Sequence, residues 1–439
     1  MMKLKKTPPY ISHKGEFFMS FWAPVLYFFR QTRILGKIDA FIERYDLPDL
    51  AFLILLSAFP LFQILEHSTF WLLPICLFLL LWSGRTLLWK HEGKPDFADF
   101  LVLLLLLLQV STALTGFGRA TDALTAALLT SIWFFARRFF TQRGIEAFCF
   151  LSSLSLLTVS VIGVGEYLFG TAELRWIDVH RFGDIGGRVT SLFSNPNILS
   201  IYLLLYFPMS LWSIFLLQSK GRLRFFYAVT AILAALCILF TWSRGAWLGL
   251  VLECFLFLLL YSKRSRRLLL FLPPLAFVSL PILPQSVRGR LFSIGDLGES
   301  SIRYRLQTWQ GTLRMLGHHP VGIGVGERAW RVIYPHFAVS GTKGVMHAHN
   351  VFLQVATEIG VIGLILFLLL LCLAVFCGLR QRRTAAATAV VGALVMGLFD
   401  HLWYYPGLLV PFYSMLALCN SNAQGNPKKT HYVDILHEN

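Results

Sequence analysis

Charge is scarce in this chain: 14% of its 439 residues are charged, and acids number 23 against 39 lysines and arginines. So little charge excludes an ordinary soluble domain, because runs such as FLVLLLLLLQV and LILFLLLLCLAVF would have no water-facing partner to cover them. Cysteine is sparse too. The seven (Cys76, Cys149, Cys237, Cys254, Cys372, Cys377 and Cys419) fall in or at the ends of apolar runs, without CxxC pairs or spaced histidines, which argues against a disulfide framework or a zinc site. The Gly322-Ile323-Gly324-Val325-Gly326 run follows no clear strand and lacks a P-loop lysine, so it reads as a tight turn after His319-Pro320 rather than a nucleotide loop. A cleavable signal is missing as well: dozens of mixed residues separate the basic Met1 to Lys6 start from the first full-length apolar run, so a retained, cytoplasmic N-terminus is expected.

What is present is apolar sequence, 56% of the chain. Hydropathy predicts an all-α polytopic membrane protein with about twelve spans, near 50–66, 69–84, 98–116, 122–138, 146–169, 196–217, 223–242, 246–262, 268–284, 349–377, 384–403 and 405–420. Phe17 to Phe29 is too short to span, and the arginines that follow it make it interfacial. The expected organisation is a cytoplasmic or interfacial segment 1–48, spans 49–284, an extracytoplasmic loop 285–348, spans 349–420 and a cytoplasmic tail 421–439. The net charge of +16 is dispersed in short clusters in every second loop: Arg85 to Lys94, Arg137 to Arg143, Lys220 to Arg224, Lys263 to Arg267, Arg380 to Arg383 and Lys428-Lys429. That is how membrane orientation is encoded, not a nucleic-acid footprint, and it puts both termini in the cytoplasm.

The unusual chemistry falls in the loops assigned to the outer face. The 170–195 loop carries Glu173, Asp178, His180 and Asp184 at a spacing that matches no metal site, and a solvated loop is the plainer reading. Arg188 closely precedes the next span, after which Asn195-Pro196-Asn197 signals a turn. Arg244, in Thr241-Trp242-Ser243-Arg244-Gly245, interrupts two nearly continuous spans. It either snorkels beside interfacial tryptophans or binds an anion.

Between Gln285 and Asn350 eight basic residues face three acids. Within that loop Leu306, Trp309, Leu313 and Leu316 recur at helical spacing opposite Arg303, Gln307, Gln310 and Arg314, predicting an amphipathic helix on the membrane surface. A basic surface beside the headgroups suits an anionic lipid or a diphosphate. His347 and His349, at the mouth of the tenth span, would lie on different faces of a helix and could share a metal only if the segment is extended. A neutral imidazole there can instead act as a general base. Glu358 lies further down the span, as a packing or polar-network residue.

These segments resemble the O-antigen ligases and related polymerase-like proteins of bacterial envelopes. The family's histidine, a polar residue, nine further residues, then glycine and a second glycine three on, is met by His349-Asn350, Val351 to Ile359, Gly360 and Gly363. Ser243-Arg244-Gly245, the Arg305 helix running into His319-Pro320 and Gly326, the Arg188 to Asn197 segment and the Phe399-Asp400-His401 turn are similar as well; the resemblance covers roughly 187–406.

It implies a C-type glycosyltransferase fold, an undecaprenyl-diphosphate-linked glycan as donor, transfer on the outer side of the cytoplasmic membrane, and no metal or other cofactor. In that reading His349 is the base, Arg244, Arg305 and Arg188 bind the diphosphate, and Asn350 orients the histidine or a sugar. The acceptor could be a lipid, a glycan or a protein hydroxyl. A polymerase joining lipid-linked repeats shares this chemistry. A small-anion transporter of the bicarbonate type is the alternative of another class, disfavoured because no inverted repeat or pair of discontinuous helices is apparent.

Overall fold

The computed structural model describes residues 47–57, 68–90, 95–115, 117–172, 187–216, 221–271, 273–274, 278, 280–294, 296, 299–401 and 405–421. The expected interfacial segment, the cluster Glu173, Asp178, His180 and Asp184, and Lys428-Lys429 lie outside the described residues. Two compact units divide the chain, residues 1–51 and 52–439, and every helix that builds the site belongs to the second.

The described residues are overwhelmingly helical. In chain order they give α1 (Leu47–Ser57), α2 (Ser68–Lys90), α3 (Phe97–Ser111), α4 (Ala120–Thr130), α5 (Ile132–Phe139), α6 (Gln142–Leu168), α7 (Pro196–Leu216), α8 (Arg222–Phe240) and α9 (Arg244–Tyr261). Then follow α10 (Lys263–Leu268), α11 (Gln285–Phe292), α12 (Ser300–His318), α13 (Glu327–Ile333), α14 (Val351–Arg380), α15 (Thr384–Gly397) and α16 (Pro406–Cys419). Among these, α3, α6, α7, α8, α9 and α14 are long and apolar enough to cross a membrane.

The remaining expected spans take other forms. Residues 122–138 divide into α4 and α5 at Ser131, and α15 and α16 are apolar but only 14 residues each, about 21 Å at helical rise. Neighbouring helices enclose α16, in which Gly407 to Cys419 are all buried. The ninth expected span, 268–284, holds a short 3-10 turn at Leu269–Phe271 and no helix of spanning length among its described residues. The chain still returns across the bundle there. Arg244, the first residue of α9, touches Ser293, so the chain leaving Tyr261 travels back the length of that helix, about 27 Å, before α11 ends.

Polar anchors fix the two ends of the bundle. At one end Asp96 and Asp99 form a capping box on α3 and grip Arg137 of α5 at 2.8 and 2.7 Å, while Arg137 also donates to the Asn420 carbonyl beyond α16 at 3.1 Å. Helix α7 packs on α6, α8 and α15, and α16 on α5, α14 and α15. Alternating direction brings the start of α7, α9, α14 and α16 to the opposite end, with the close of α6, α8 and α15.

The segment 299–350 is a folded cap with its own core of Met315, Ile323, Trp330, Ile333, Tyr334, Val345 and Ala348. Helix α12 turns Thr308, Gly311, Thr312 and Met315 toward this core, whereas Leu306 and Leu313 of the expected apolar face remain exposed. Trp309 and Leu316 of the same face are partly buried, and small and hydroxyl residues with Met315 make the contact to the core. The glycine run binds to α14 as a strap: Ile323 and Gly324 donate to the carbonyls of Thr357 and Glu358 at 2.7 and 3.1 Å, and Val361 donates back to Pro320 at 2.9 Å. Gly360 breaks the helix there with φ 79°, and a Cβ on it would stand 2.7 Å from the Val321 carbonyl carbon. Here lies the physical reason for a glycine eleven residues after His349.

Candidate functional site

Four separate segments meet at the end of the bundle opposite Arg137. The Arg188 segment is held from below by Glu166 of α6, whose carboxylate accepts from the Thr190 and Ser191 amides at 2.8 and 2.9 Å. The Arg188 guanidinium, nearly buried, donates through Nε to the Thr241 carbonyl at 2.6 Å and through Nη2 to Asn197 Oδ1 at 2.9 Å. Burial, with Arg290 and Arg305 acting in the same sense, pushes its pKa down to about 9, which leaves it charged at neutral pH.

Arg244 does not snorkel. It reaches into the cap and donates to the Ser293 carbonyl and hydroxyl at 3.0 and 2.9 Å, to Ser301 Oγ at 3.0 Å, and to the carboxylate of Glu299. Glu299 is only 3% exposed and also pairs with Arg290 at 3.3 Å. Arg305 of α12 donates to the Phe399 carbonyl at 2.8 Å; burial lowers its pKa and Asp400 opposes that shift.

His349 sits just before α14 with φ 48°, the left-handed region that a histidine adopts only under constraint. The constraint comes from Asn350, which caps α14 by accepting from the Phe352 and Leu353 amides, each at 3.0 Å, and ties its own amide to the Leu398 carbonyl at 3.2 Å. Asn350 thus fixes the backbone on which the histidine sits.

The imidazole of His349 stays partly open at 22% exposure, and its Nδ1 lies 3.6 Å from Asp400 Oδ1. His347 and His401 complete the cluster, their rings centred 3.9 Å apart, with His347 and His349 at 4.0 Å. Asp400 accepts from Asn197 Nδ2 at 2.8 Å and from the His401 amide at 2.9 Å. Burial raises its pKa, but the three imidazoles outweigh burial and hold the carboxyl well below the usual range. Burial drives His347 well down and His401 to about 4, so both are neutral at pH 7.

All five residues singled out in the sequence therefore stand at one end of the bundle, around an Asp400 that was noted there only as part of a turn. Asn197, Glu299, Arg290 and His401 join it; the Asn-Pro-Asn and Phe-Asp-His turns signalled Asn197 and His401, whereas Arg290 and Glu299 stood out only among the charges of the 285–350 loop. The Phe399-Asp400-His401 turn, rather than His349, supplies the further ligand types beside His347. His347, Asp400 and His401 bring donor atoms within 4.8 Å of one another, close enough to share a cation.

Residues 229–368 match the O-antigen ligase family model. The stretch runs from α8 to the middle of α14 and includes Arg244, Arg305 and His349. No curated protein matches the chain. The O-antigen ligase match, on a bundle with several spanning helices, supports a multi-pass membrane protein of ligase or polymerase type, working on lipid-linked glycans and their acceptors.

Proposed function

We propose that this protein transfers a glycan from undecaprenyl diphosphate to an acceptor hydroxyl on the outer face of the cytoplasmic membrane, in the manner of O-antigen ligases. The observation that carries the proposal is a partly open imidazole beside Asp400, with the Arg188 and Arg305 guanidiniums acting on that carboxylate and Arg244 acting on both of them. The outward sidedness of this end, with both termini cytoplasmic, rests on the basic clusters at the other ends of the spans.

In this reaction the acceptor oxygen bonds to the anomeric carbon as the carbon to phosphate-oxygen bond breaks and its electron pair leaves on the diphosphate. The acceptor proton passes to His349. With Nδ1 directed at ionised Asp400, the opposite nitrogen, Nε2, is the one available as base. Arg188, Arg244 and Arg305 stabilise the departing diphosphate, each charge-assisted contact contributing about 1.5–3 kcal/mol. Attack from the face opposite the leaving group inverts the anomeric centre. Because the chain supplies both base and counter-charge, the step is written without a metal.

Deletion of the gene tests this reading. Accumulation of full-length polymer on its lipid carrier is the ligase outcome, and accumulation of single repeats is the polymerase outcome. An unchanged pool of carrier-linked glycan defeats both.

A further inference from the structure

A cavity of about 560 Å³ opens between α4, the strap leading into α13, and the start of α16, within the size range of small-molecule sites. On α4, Asp122, Ala126 and Leu129 recur at helical spacing and line one face, with Arg119 just before the helix, so the lining is charged at the mouth and apolar further down. Leu409 of α16 adds to the apolar floor. The opposite wall is fixed by two anchors: the Val325 amide donates to Thr112 Oγ1 and the Gly326 amide to Glu358 Oε1, each at 3.3 Å. Gly326 passes so close to Asp122 that a Cβ would lie 2.6 Å from the carboxylate, and its φ of 106° requires glycine in any case. The cavity is therefore preformed.

Its charges differ from those of the arginine cluster. Asp122 and Glu327 stand at the mouth with Arg119, Arg328 and Arg331, and Glu327 already pairs with Arg331 at 2.8 Å. Carboxylates set among the guanidiniums leave the mouth close to neutral, a weaker attraction for a diphosphate or an anionic headgroup than unmixed arginines would give. Carboxylates that accept and guanidiniums that donate suit hydroxyls, and an apolar floor suits the C–H face of a pyranose. Tyr405 joins the two regions: it precedes Pro406, which lines the cavity, and its ring lies 6.0 Å from that of His401. Both Asp400 and Glu327 act on its hydroxyl.

The Phe399-Asp400-His401 turn thus borders both regions: Arg305 donates to the Phe399 carbonyl, and the His401 ring lies against Tyr405, next to the cavity-lining Pro406. An inverting displacement keeps the attacking hydroxyl and the leaving diphosphate on opposite sides of the anomeric carbon. We infer that this cavity is a saccharide-binding subsite that holds the acceptor's sugar, an assignment of side that rests on the glycan-transfer reading above.

The test is binding, measured by calorimetry on the purified full-length protein, so it needs no turnover. Two probes separate the sources: oligosaccharide released by mild acid from the host's polyprenyl-diphosphate pool, and deacylated oligosaccharide from its surface glycolipids. Thr125→Trp fills the cavity, and Arg328→Ala removes an exposed guanidinium with little risk to folding, which melting curves check. The expected result is that the glycolipid-derived sugar binds wild type and binds both variants about tenfold more weakly. No sugar binding to wild type, or equal binding in both folded variants, overturns the subsite. If only the carrier-derived sugar depends on these residues, the acceptor assignment is overturned. Because His349→Ala leaves the binding measurement intact, failure of the catalytic reading shows separately, as retained transfer in that variant.

Discussion

Asp400 faces His349 Nδ1 at 3.6 Å while its other carboxylate oxygen is held by Asn197 at 2.8 Å, so a residue from the start of α7 braces the carboxylate that aims the imidazole. The separation is slightly long for a hydrogen bond, as unliganded sites often are. Replacing Asp400 by Asn is expected to lower kcat about 10²-fold with KM within about twofold of wild type. Steady-state transfer kinetics on reconstituted protein decide it; a rise in KM alone would make Asp400 a binding residue.

His349→Ala and Arg305→Ala should each abolish glycan transfer, by about 10²-fold or more, while membrane insertion and expression persist. Full activity in either variant sinks the proposed mechanism.

Acid stability carries a signature of the cluster. His401 titrates near 4 when folded and near 6.5 when unfolded, so below pH 6.5 the unfolded chain binds more protons. Its neutral form is fully tolerated above pH 6.5, and stability is lost as pH falls toward 4, by on the order of 3 kcal/mol. Asp400, whose folded pKa is also depressed, acts in the same direction below its ordinary 3.8. Melting temperatures from pH 7 to pH 4 should fall in wild type and fall less in His401→Asn.

Glu299 pairs with Arg244 and Arg290 in the region assigned to a diphosphate. Glu299→Gln leaves two guanidiniums without their counter-charge and should cost about 3–5 kcal/mol. Inorganic pyrophosphate should then restore stability to the variant more than to wild type, as read by thermal shift. An equal shift in both would separate this ion pair from the phosphate site.

Chelation distinguishes a proton relay from a metal centre. Treatment with EDTA is expected to leave transfer unchanged. Loss of activity, with recovery on adding a divalent ion and none in a His401→Ala background, would assign a cation to His347, Asp400 and His401.

Much of this was legible in the chain because charge at the mouth of an apolar helix is rare enough to stand out. Arg188, Arg244 and Arg305 each drew notice in their own segments, and the strap glycines and Gly360 were visible as motifs. Their mutual docking was not, since backbone hydrogen bonds between a loop and a kinked helix leave no side-chain pattern. Asp400 was missed as a partner of His349 because it lies some fifty residues further along, in a two-helix turn where a lone carboxylate ordinarily means solvation. The divided α4 and α5 kept their apolar content but not their continuity.

The break at Gly360 also sets apart the start of α14. Val351 to Ile359 hang from the strap at one end and, through Asn350 on the Leu398 carbonyl and Val351 against Gly397, from the close of α15 at the other, so this short half-helix is clamped between the cap and the bundle. The base is therefore set in place only when the strap of the cap docks on α14 and Asn350 reaches the close of α15, after every segment from Arg188 to His401 has reached the same side. Assembly itself is the switch: a chain stalled before its last two helices carries His349 but has no Asp400 to aim it.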